Sequence, residues 1–395
     1  MKTVAKVSLL ILAGLIFFHF LTSRQREVIE PGPEMAIPPA YQGLSTGLKA
    51  TEIAATLETP ITKGKNLIWC ASFPTAWKVL QEELAGEPVA LEGKPELARR
   101  LNEAGDLRPF IPAEDLYAAA GWNQQGIINQ IRQDLKRKFP DKEPPTFPGI
   151  APDSFVAYAY LEANVKFPIP YSQNHKPLLF TNGSGTVAMI NSFGIPDEDS
   201  DAYLKLRKQP CILFFKSEGR DTREFAMDLC SNSSPNQIVV ARIDPETNLL
   251  ATLEWVEKEV EGTDAEPSDE SPYYVEHKRS IGPSDTLLIP DLDWFVSHHF
   301  AELEGRSFAN QKLKGQRLDV AQEDIRFHLG KSGAELRSEA KENYMAIPHR
   351  FVINQPFLIY MKQRSARTPC FVMWVDNAEL LSPWMNPKTQ VPAGN

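Results

Sequence analysis

The chain has 395 residues, of which 42% are hydrophobic and 24% are charged, an ordinary mixture for a globular protein. Its formal net charge of -9 and isoelectric point near 5.5 argue against the basic surface of a nucleic-acid-binding protein, so we expect no nucleic-acid partner. The 32 prolines cluster at residues 31–39, 140–152 and 168–170, which favours strands and loops over a helical bundle.

The N-terminal segment is apolar and has basic flanks. Lys2 and Lys6 precede an apolar run over residues 7–21. This pattern is typical of a signal peptide or a short signal anchor. Because no Ala-x-Ala cleavage site follows, we favour an uncleaved membrane anchor in residues 1–23, with residues 24–47 as a proline-rich linker. The alternative is a cleaved, secreted protein, and both interpretations predict an extracytoplasmic, extracellular location.

Hydrophobic periodicity predicts helices and short strands in the first part of the chain. Residues 126–139 give the clearest helix, because Ile127, Ile131 and Leu135 recur at four-residue steps and Pro140 ends the pattern. Further helices are predicted at residues 48–57, 73–84 and 97–101, and strands at residues 66–70, 116–121 and 155–161.

Short strands dominate the rest of the chain. Residues 261–271 are acidic and non-apolar, which predicts a disordered surface excursion. The sum is an α+β fold in one large domain over residues 48–382, followed by a tail at residues 383–395. The strands are predicted at residues 186–190, 211–215, 238–241, 318–329, 351–360 and 370–375, and one helix at residues 250–260.

No enzyme site can be assembled from the sequence. Residues 330–332 lack the earlier glycine of a phosphate-binding loop, and residues 183–185 have the wrong spacing for a nucleophile elbow. His298 and His299 are adjacent, so on a helix they would point apart and lack the four-residue spacing of a metal site. We therefore expect no enzyme activity, no catalytic residue, no metal and no cofactor.

The four cysteines show no metal-ligand spacing. Cys211 and Cys230 are the one pair close in sequence, and an exported protein could join them in a disulfide. Cysteine is among the most buried residue types, so we favour buried free thiols in strands.

Several segments, taken in order, resemble signatures of the serpin family. They are residues 66–69 with the following helix that carries Trp77, residues 157–171, residues 288–292, and residues 354–357 (Asn-Gln-Pro-Phe). The end of the chain also resembles the serpin order of strand, hinge, reactive loop and two closing strands. The resemblance covers residues 48–382. It implies a serpin-like fold, with helices packed on mixed and antiparallel β-sheets and an exposed C-terminal reactive-type loop.

Two departures from the serpin pattern concern the main sheet. Residues 140–154 alone separate the amphipathic helix from the next strand, where serpins have another strand and a long helix that crosses the sheet. At the buried shutter of the sheet, where the family pairs an asparagine with a histidine, the resemblance places Ala159 and Glu323. We therefore expect that polar pair to be missing and the opening of the sheet to be altered.

The resemblance makes residues 333–341 the hinge that would slide into the main sheet. Because side chains alternate across a strand, one set would point into the tight interior. Leu336 belongs to that set and is larger than the small residues of the family, so its insertion costs about 1–3 kcal/mol. The predicted hinge residues are Gly333, Ala334, Glu335, Leu336, Ser338 and Ala340, of which Ala334, Leu336, Ser338 and Ala340 form the inward set.

The bond that a protease would cut is predicted at Met345, Ala346 or Ile347, an apolar window that suits an elastase- or chymotrypsin-like protease. Arg350 keeps a trypsin-like protease as an alternative, and Pro348 disfavours cleavage directly after Ile347. The function that the resemblance implies is a protease inhibitor or protease-binding protein, with a serine or cysteine protease as its partner. The alternative is a non-inhibitory serpin-shaped scaffold that holds a partner or a ligand.

Overall fold

The computed structural model describes residues 39–164, 167–195, 205–218, 221–231, 236–265, 279–282, 284–331 and 348–385. The apolar N-terminal segment, the hinge at residues 333–341 and the window at residues 345–347 lie outside these ranges, so what the sequence predicts for them stays a prediction. None of the helices in the described ranges is both long enough and apolar enough to cross a lipid bilayer.

The described residues form two large sheets and a separate hairpin. The strands in chain order are β1 (Tyr41–Leu44), β2 (Thr51–Ala54), β3 (Asn66–Cys70), β4 (Leu116–Trp122), β5 (Ser154–Asn164), β6 (Ser172–Gln173), β7 (Leu178–Thr181), β8 (Val187–Ile190), β9 (Ser192–Ile195), β10 (Cys211–Glu218), β11 (Asp221–Asp228), β12 (Asn236–Arg242), β13 (Thr286–Pro290), β14 (Leu292–His299), β15 (Arg306–Ser307), β16 (Arg317–Leu329), β17 (Arg350–Val352), β18 (Phe357–Gln363) and β19 (Phe371–Val375).

Sheet A has the strand order β1-β14-β16-β5-β4, with β15 beside β16. Its two central strands, β5 and β16, run parallel, whereas β4 and β14 flank them in antiparallel orientation. Sheet B has the order β2-β3-β19-β18-β12-β11-β17-β13-β9-β6, with β10 beside β11. Strands β7 and β8 pair with each other as the separate hairpin.

Helices cover both faces of sheet A, and one further helix packs on sheet B. The helices are α1 (Ser72–Val79, continued by a π-helical turn over Leu80–Ala85), α2 (Glu96–Glu103), α3 (Ile127–Lys138) and α4 (Leu249–Ala265). Helix α1 is buried on one face of the sheet, where its residues Phe73, Ala76 and Trp77 are fully inaccessible to solvent. Helix α3 packs Ile131 and Leu135 on the other face, and its basic side chains remain exposed.

Most predicted elements are confirmed, and α3 shows why its boundary shifts. The helix begins at Ile127 and not at Gly126, because Gly126 has a φ of 86°, in the left-handed region that glycine adopts most easily. The predicted strand at residues 351–360 is two strands, β17 and β18. Pro356 lies in the break between them, and proline cannot donate a ladder hydrogen bond.

Two predictions near the start of the domain are wrong in their details. Residues 48–57 were expected to form a helix, but the central part is strand β2, which pairs in parallel with β3 through Ile53 and Ile68. Pairing with the next strand overrides the local apolar pattern. Strand β1 lies within the predicted linker and pairs with β14, so the described fold begins before Leu48.

The sheets determine the positions of the histidine pair and the burial of the cysteines. His298 and His299 end strand β14 and do not lie on a helix. Cys70, Cys230 and Cys370 are buried free thiols, so the alternative Cys211–Cys230 disulfide is absent and the predicted burial is confirmed for these three. Of the three, Cys70 lies in a strand as predicted, whereas Cys230 and Cys370 lie just outside β11 and β19. Burial raises the pKa of the Cys370 thiol to about 12, and therefore the thiol is unreactive at neutral pH.

Candidate functional site

The parallel contact between β5 and β16, called here the central seam, is the part of sheet A that an inserted strand would have to separate. The two strands stay in register from Ala157 opposite Ala321 to Asn164 opposite His328. Successive side chains point to opposite faces of the sheet. One face of the seam therefore meets α1, and the other meets α3 and the segment over residues 139–153 that follows it.

The face toward α1 is lined by alanines. Ala157, Ala159 and Ala321 are fully buried there, beside Phe73 and Trp77 of the helix. Small side chains leave the backbone of the helix close to the strands and leave no room for larger groups. Any segment that entered the seam would need small side chains on this face.

Glu323 is the one carboxylate on the alanine-lined face of the seam among the described residues. The structure confirms that it lies directly opposite Ala159, as the resemblance predicted. The side chain is completely buried. Its Oε1 accepts a hydrogen bond from Ser72 Oγ at 2.5 Å and another from the backbone N–H of Phe73 at 3.0 Å.

The expected loss of the polar pair at the shutter is confirmed, and Glu323 has other partners. No polar pair joins Ala159 to Glu323, but Glu323 makes a new contact to the first turn of α1. Burial raises the pKa of the Glu323 carboxyl to about 8, against the smaller opposing effect of the hydrogen bonds from Ser72 and Phe73. The carboxyl is therefore mainly protonated at pH 7, because an unpaired charge in this position would be poorly solvated.

Asp324, the next residue, points to the opposite face and has different partners. Its Oδ2 accepts a hydrogen bond from Tyr158 Oη at 2.8 Å and lies 3.0 Å from Lys142 Nζ. Its Oδ1 accepts from Gln322 Nε2 at 2.8 Å, and the same amide donates to Ser297 Oγ at 3.0 Å. A charged pair and a set of neutral donors therefore satisfy this carboxylate in the interior.

Lys142 belongs to the short segment between α3 and β5. Its side chain is only 8% exposed, and its ammonium lies 3.8 Å from the ring centroid of Tyr160 and 4.7 Å from that of Phe295. Burial lowers the pKa of Lys142, and Asp324 opposes that shift. Ion-pair and cation–π contacts together keep the charged ammonium stable in a buried position.

The chain leaves sheet A just beyond β16. The backbone N–H of Tyr171 donates to Lys331 O at 3.2 Å, which ties this exit to the segment that follows β5. Close by, Gln173 Nε2 donates to Asp291 Oδ2 at 2.9 Å, and burial raises the pKa of Asp291 to about 6. Lys331, the last described residue before the predicted hinge, is therefore held by a backbone hydrogen bond.

The predicted reactive segment begins beside one sheet and ends in the other. Lys331 is the last described residue on the sheet A side, and Arg350 begins β17 of sheet B. Arg350 is exposed and is the one predicted site residue that the structure describes. It pairs in register with Thr286 of β13. The other predicted site residues, from Gly333 to Ile347, lie outside the described ranges.

The histidine pair has structural partners. His298 Nδ1 lies 2.7 Å from Ser45 Oγ, and burial lowers the pKa of His298 to about 4. His299 Nδ1 lies 2.7 Å from Glu304 Oε1, and that contact raises the pKa of His299. Within the described ranges, no group of three or more histidine, cysteine or acidic side chains has a geometry suited to a metal ion.

Comparison with known proteins gives matches in structure alone. No protein-family model matches the chain, and no curated protein matches its sequence. Similar solved structures include the mouse protein-Z dependent protease inhibitor, with 14% sequence identity over 79% of this chain and 91% of that chain and a TM-score of 0.49.

Two further similar structures are a thermophilic serpin, tengpin, and human thyroxine-binding globulin in complex with thyroxine. The first has 10% identity over 81% of this chain and 90% of that chain, with a TM-score of 0.47. The second has 13% identity over 82% and 94%, with a TM-score of 0.45. These neighbours are serpins, and the predicted α+β class, with helices packed on mixed and antiparallel sheets, is confirmed by the structure itself. At these identities the likeness concerns the fold alone.

Proposed function

We propose that this protein binds a protease through the apolar window at residues 345–347, and that residues 333–341 enter the central seam once that window is cut. In this proposal the segment between β16 and β17 is the reactive loop that the protease recognises. The apolar residues 7–21 would tether the protein to a membrane, with the reactive loop on the extracytoplasmic side.

The position of β16 is the observation that carries the proposal. The strand occupies the centre of sheet A, runs parallel to β5, and leads directly into the predicted hinge. A segment that reversed direction after Lys331 and entered the seam would run antiparallel to both neighbours. Insertion would therefore replace one parallel ladder by two antiparallel ladders. Because parallel pairing is slightly less stable per residue than antiparallel pairing, this exchange favours insertion.

The side chains of the predicted hinge suit this seam. The alanine-lined face accepts small groups, and Ala334, Ser338 and Ala340 of the inward set are small. Leu336 is the exception, since overpacking costs about 1–3 kcal/mol. That amount is small beside a full ladder of new hydrogen bonds and contacts, so Leu336 would slow insertion without preventing it.

Incubation with proteases tests the proposal directly. The full chain is mixed with elastase-, chymotrypsin- and trypsin-like serine proteases and with a papain-like cysteine protease, and the products are separated on a denaturing gel. We expect a covalent complex with an elastase- or chymotrypsin-like enzyme and cleavage after Met345 or Ala346. Cleavage without any covalent complex would contradict trapping of the protease. Absence of cleavage between residues 333 and 350 would contradict recognition of the loop by a protease.

A pair of hinge substitutions separates insertion from simple cleavage. Ser338→Arg places a large charge in the inward set, so the loop should still be cut but the complex should be lost. Arg337→Ser changes the neighbouring outward position and should leave the complex unchanged. Equal behaviour of the two variants would show that the hinge does not enter the seam in the predicted register.

The contacts across the seam favour a second candidate function. Lys142 and Asp324 hold β5 and β16 together on one face, and Glu323 ties β16 to α1 on the other, which suits a non-inhibitory scaffold that keeps its shape. Thermal melting before and after nicking of the loop separates the two functions. Insertion should raise the melting temperature of the nicked protein by more than 10 °C, which is on the order of 8 kcal/mol for a chain of this size. A scaffold should melt at the same temperature or lower.

A further inference from the structure

The segment that joins α3 to β5 lays one ammonium group across three strands of sheet A. Lys142 Nζ meets Asp324 of β16 at 3.0 Å, the ring of Tyr160 of β5 at 3.8 Å, and the ring of Phe295 of β14 at 4.7 Å. Tyr160 and Asp324 are direct register partners across the central seam. The ammonium therefore lies over the seam itself.

The backbone around Lys142 holds it in this position. Its N–H donates to Phe139 O at 3.0 Å, which continues the end of α3. Phe139 in turn packs its ring against Tyr160, with the ring centroids 4.6 Å apart. The side chain therefore starts from a fixed point above β5 and reaches across to β16.

Opening of the seam would break these contacts together. Neighbouring strands lie about 4.8 Å apart, so a strand inserted between β5 and β16 roughly doubles their separation. Lys142 could then contact Tyr160 or Asp324 but not both. The hydrogen bond from Tyr158 of β5 to Asp324 of β16, at 2.8 Å, crosses the same seam and would break at the same time.

We propose that Lys142 acts as a clasp that holds β5 and β16 together and limits how fast the seam opens. The role of Lys142 in holding the two strands together rests on its contacts in the closed sheet and does not require insertion. The effect on strand insertion rests on the proposed function, because that function is what requires the seam to part. The clasp is thus a positioning element that regulates entry of the hinge.

Hydrogen exchange in the full chain tests the holding role. In Lys142→Met the amides of residues 158–161 and 322–325 should exchange faster than in the wild type, by a factor about ten times larger than the change in the amides of β12 and β18 of sheet B, which report any global loss of stability. Lys136→Met is the matched control, since Lys136 is an exposed lysine on α3. Equal exchange along the seam in the wild type and Lys142→Met would overturn the clasp.

A double variant protects the test against misfolding. Lys142→Met combined with Asp324→Asn removes the ammonium without leaving an unpaired buried carboxylate, and it should show the same local acceleration. If the double variant folds and its seam exchanges like the wild type, the clasp is also overturned.

Uptake of a synthetic peptide then links the clasp to insertion. A peptide with the sequence of residues 333–344 is added in excess, and its incorporation is followed by native gel and intact mass. We expect incorporation about tenfold faster in Lys142→Met than in the wild type or Lys136→Met. Faster exchange without peptide uptake by any variant supports the clasp and contradicts insertion. Equal uptake by all variants together with unchanged exchange supports insertion and overturns the clasp.

Discussion

The two faces of the central seam treat neighbouring carboxyl groups in opposite ways. Glu323 meets a hydroxyl and a backbone N–H of α1, with no cation, and its Oε2 has no hydrogen-bond partner among the described residues. Asp324 is equally buried but meets Lys142, Tyr158 and Gln322. A buried carboxyl group can be stabilised either by a proton or by a cation with donors, and adjacent residues of one strand use the two solutions.

The difference has consequences for how the sheet responds to its surroundings. The contribution of the Glu323 face to the stability of the protein depends on pH, because burial without a cation favours the neutral form of this carboxyl. Stability on the Asp324 face depends on an intact ion pair and on the segment that supplies Lys142. The two faces can therefore be perturbed separately, which makes the comparison testable.

The largest effect should appear in the pH dependence of the Glu323 face. The pKa of this carboxyl is raised from 4.5 to about 8, so between these values the folded state binds the proton more tightly than the unfolded state. Stability therefore falls as pH rises through that window, by on the order of 5 kcal/mol from this group.

Urea unfolding of the wild type and Glu323→Gln at pH 4.5, 6.5 and 9 measures that contribution. The amide keeps an acceptor for Ser72 and Phe73 but never ionises. We expect similar stability of the two proteins at pH 4.5 and a clear advantage of Glu323→Gln at pH 9. Burial also raises the pKa of Asp291 and Asp115 to about 6, but both groups are present in both proteins and cancel in the difference. Parallel pH curves would contradict a neutral Glu323.

On the opposite face, Lys142→Met should lower the free energy of unfolding at pH 7 by about 3–5 kcal/mol, because it leaves Asp324 buried without its cation. Adding Asp324→Asn should recover part of that loss, since the unpaired charge is then gone. Urea unfolding measures both variants, and Lys136→Met should stay within about 0.5 kcal/mol of the wild type. A double variant less stable than Lys142→Met alone would show that the ion pair is not what Lys142 contributes.

A smaller loss is expected for Tyr158→Phe, which removes a hydroxyl donor to a carboxylate. Hydrogen bonds to charged groups contribute about 1.5–3 kcal/mol, and we expect the free energy of unfolding to fall by that amount. Tyr117→Phe is the control, because Tyr117 Oη donates to the less buried Asp134 at the longer distance of 3.3 Å. Its loss should be clearly smaller. Equal losses in the two variants would mean that Asp324 does not depend on Tyr158.

The smallest effect should come from Ser72→Ala. At pH 6 its partner Glu323 is neutral, so we expect a loss of about 0.5–1.5 kcal/mol, and a larger loss above pH 8 when the partner ionises. Ser154→Ala is the matched control, because Ser154 is buried and its Oγ has no partner among the described residues. That variant should change little at either pH. A pH-independent loss in Ser72→Ala would contradict the assignment of the proton to Glu323.

Much of the fold could be predicted from local pattern. Helix α3 follows from Ile127, Ile131 and Leu135 on one face, and β3 follows from a short apolar run. The region of β2 shows where this reasoning fails. Its apolar spacing also fits a helix, and pairing with β3 decided the outcome. Short apolar runs fit either state, so contacts with distant segments settle them.

The candidate site was predictable only in part. Resemblance to a family placed Ala159 opposite Glu323, and the register of β5 and β16 confirms it. Neither the contact with Ser72, 251 residues away in the chain, nor the position of Lys142 had a sequence signal. Lys142 looks like one charged residue in a proline-rich connection, and such residues are usually solvated.

The sequence by itself determined the type and order of most secondary structure, because helix and strand periods are local properties of hydrophobic spacing. It also determined which residues alternate along β16, and hence that Glu323 and Asp324 point to opposite faces. Tertiary structure alone decided that both carboxyls are buried, that one meets α1, and that the other meets Lys142. The burial of a side chain depends on which segment of the chain packs over it. The charged groups and hydrogen-bond donors of that segment then determine whether a buried carboxyl is neutral or ionised.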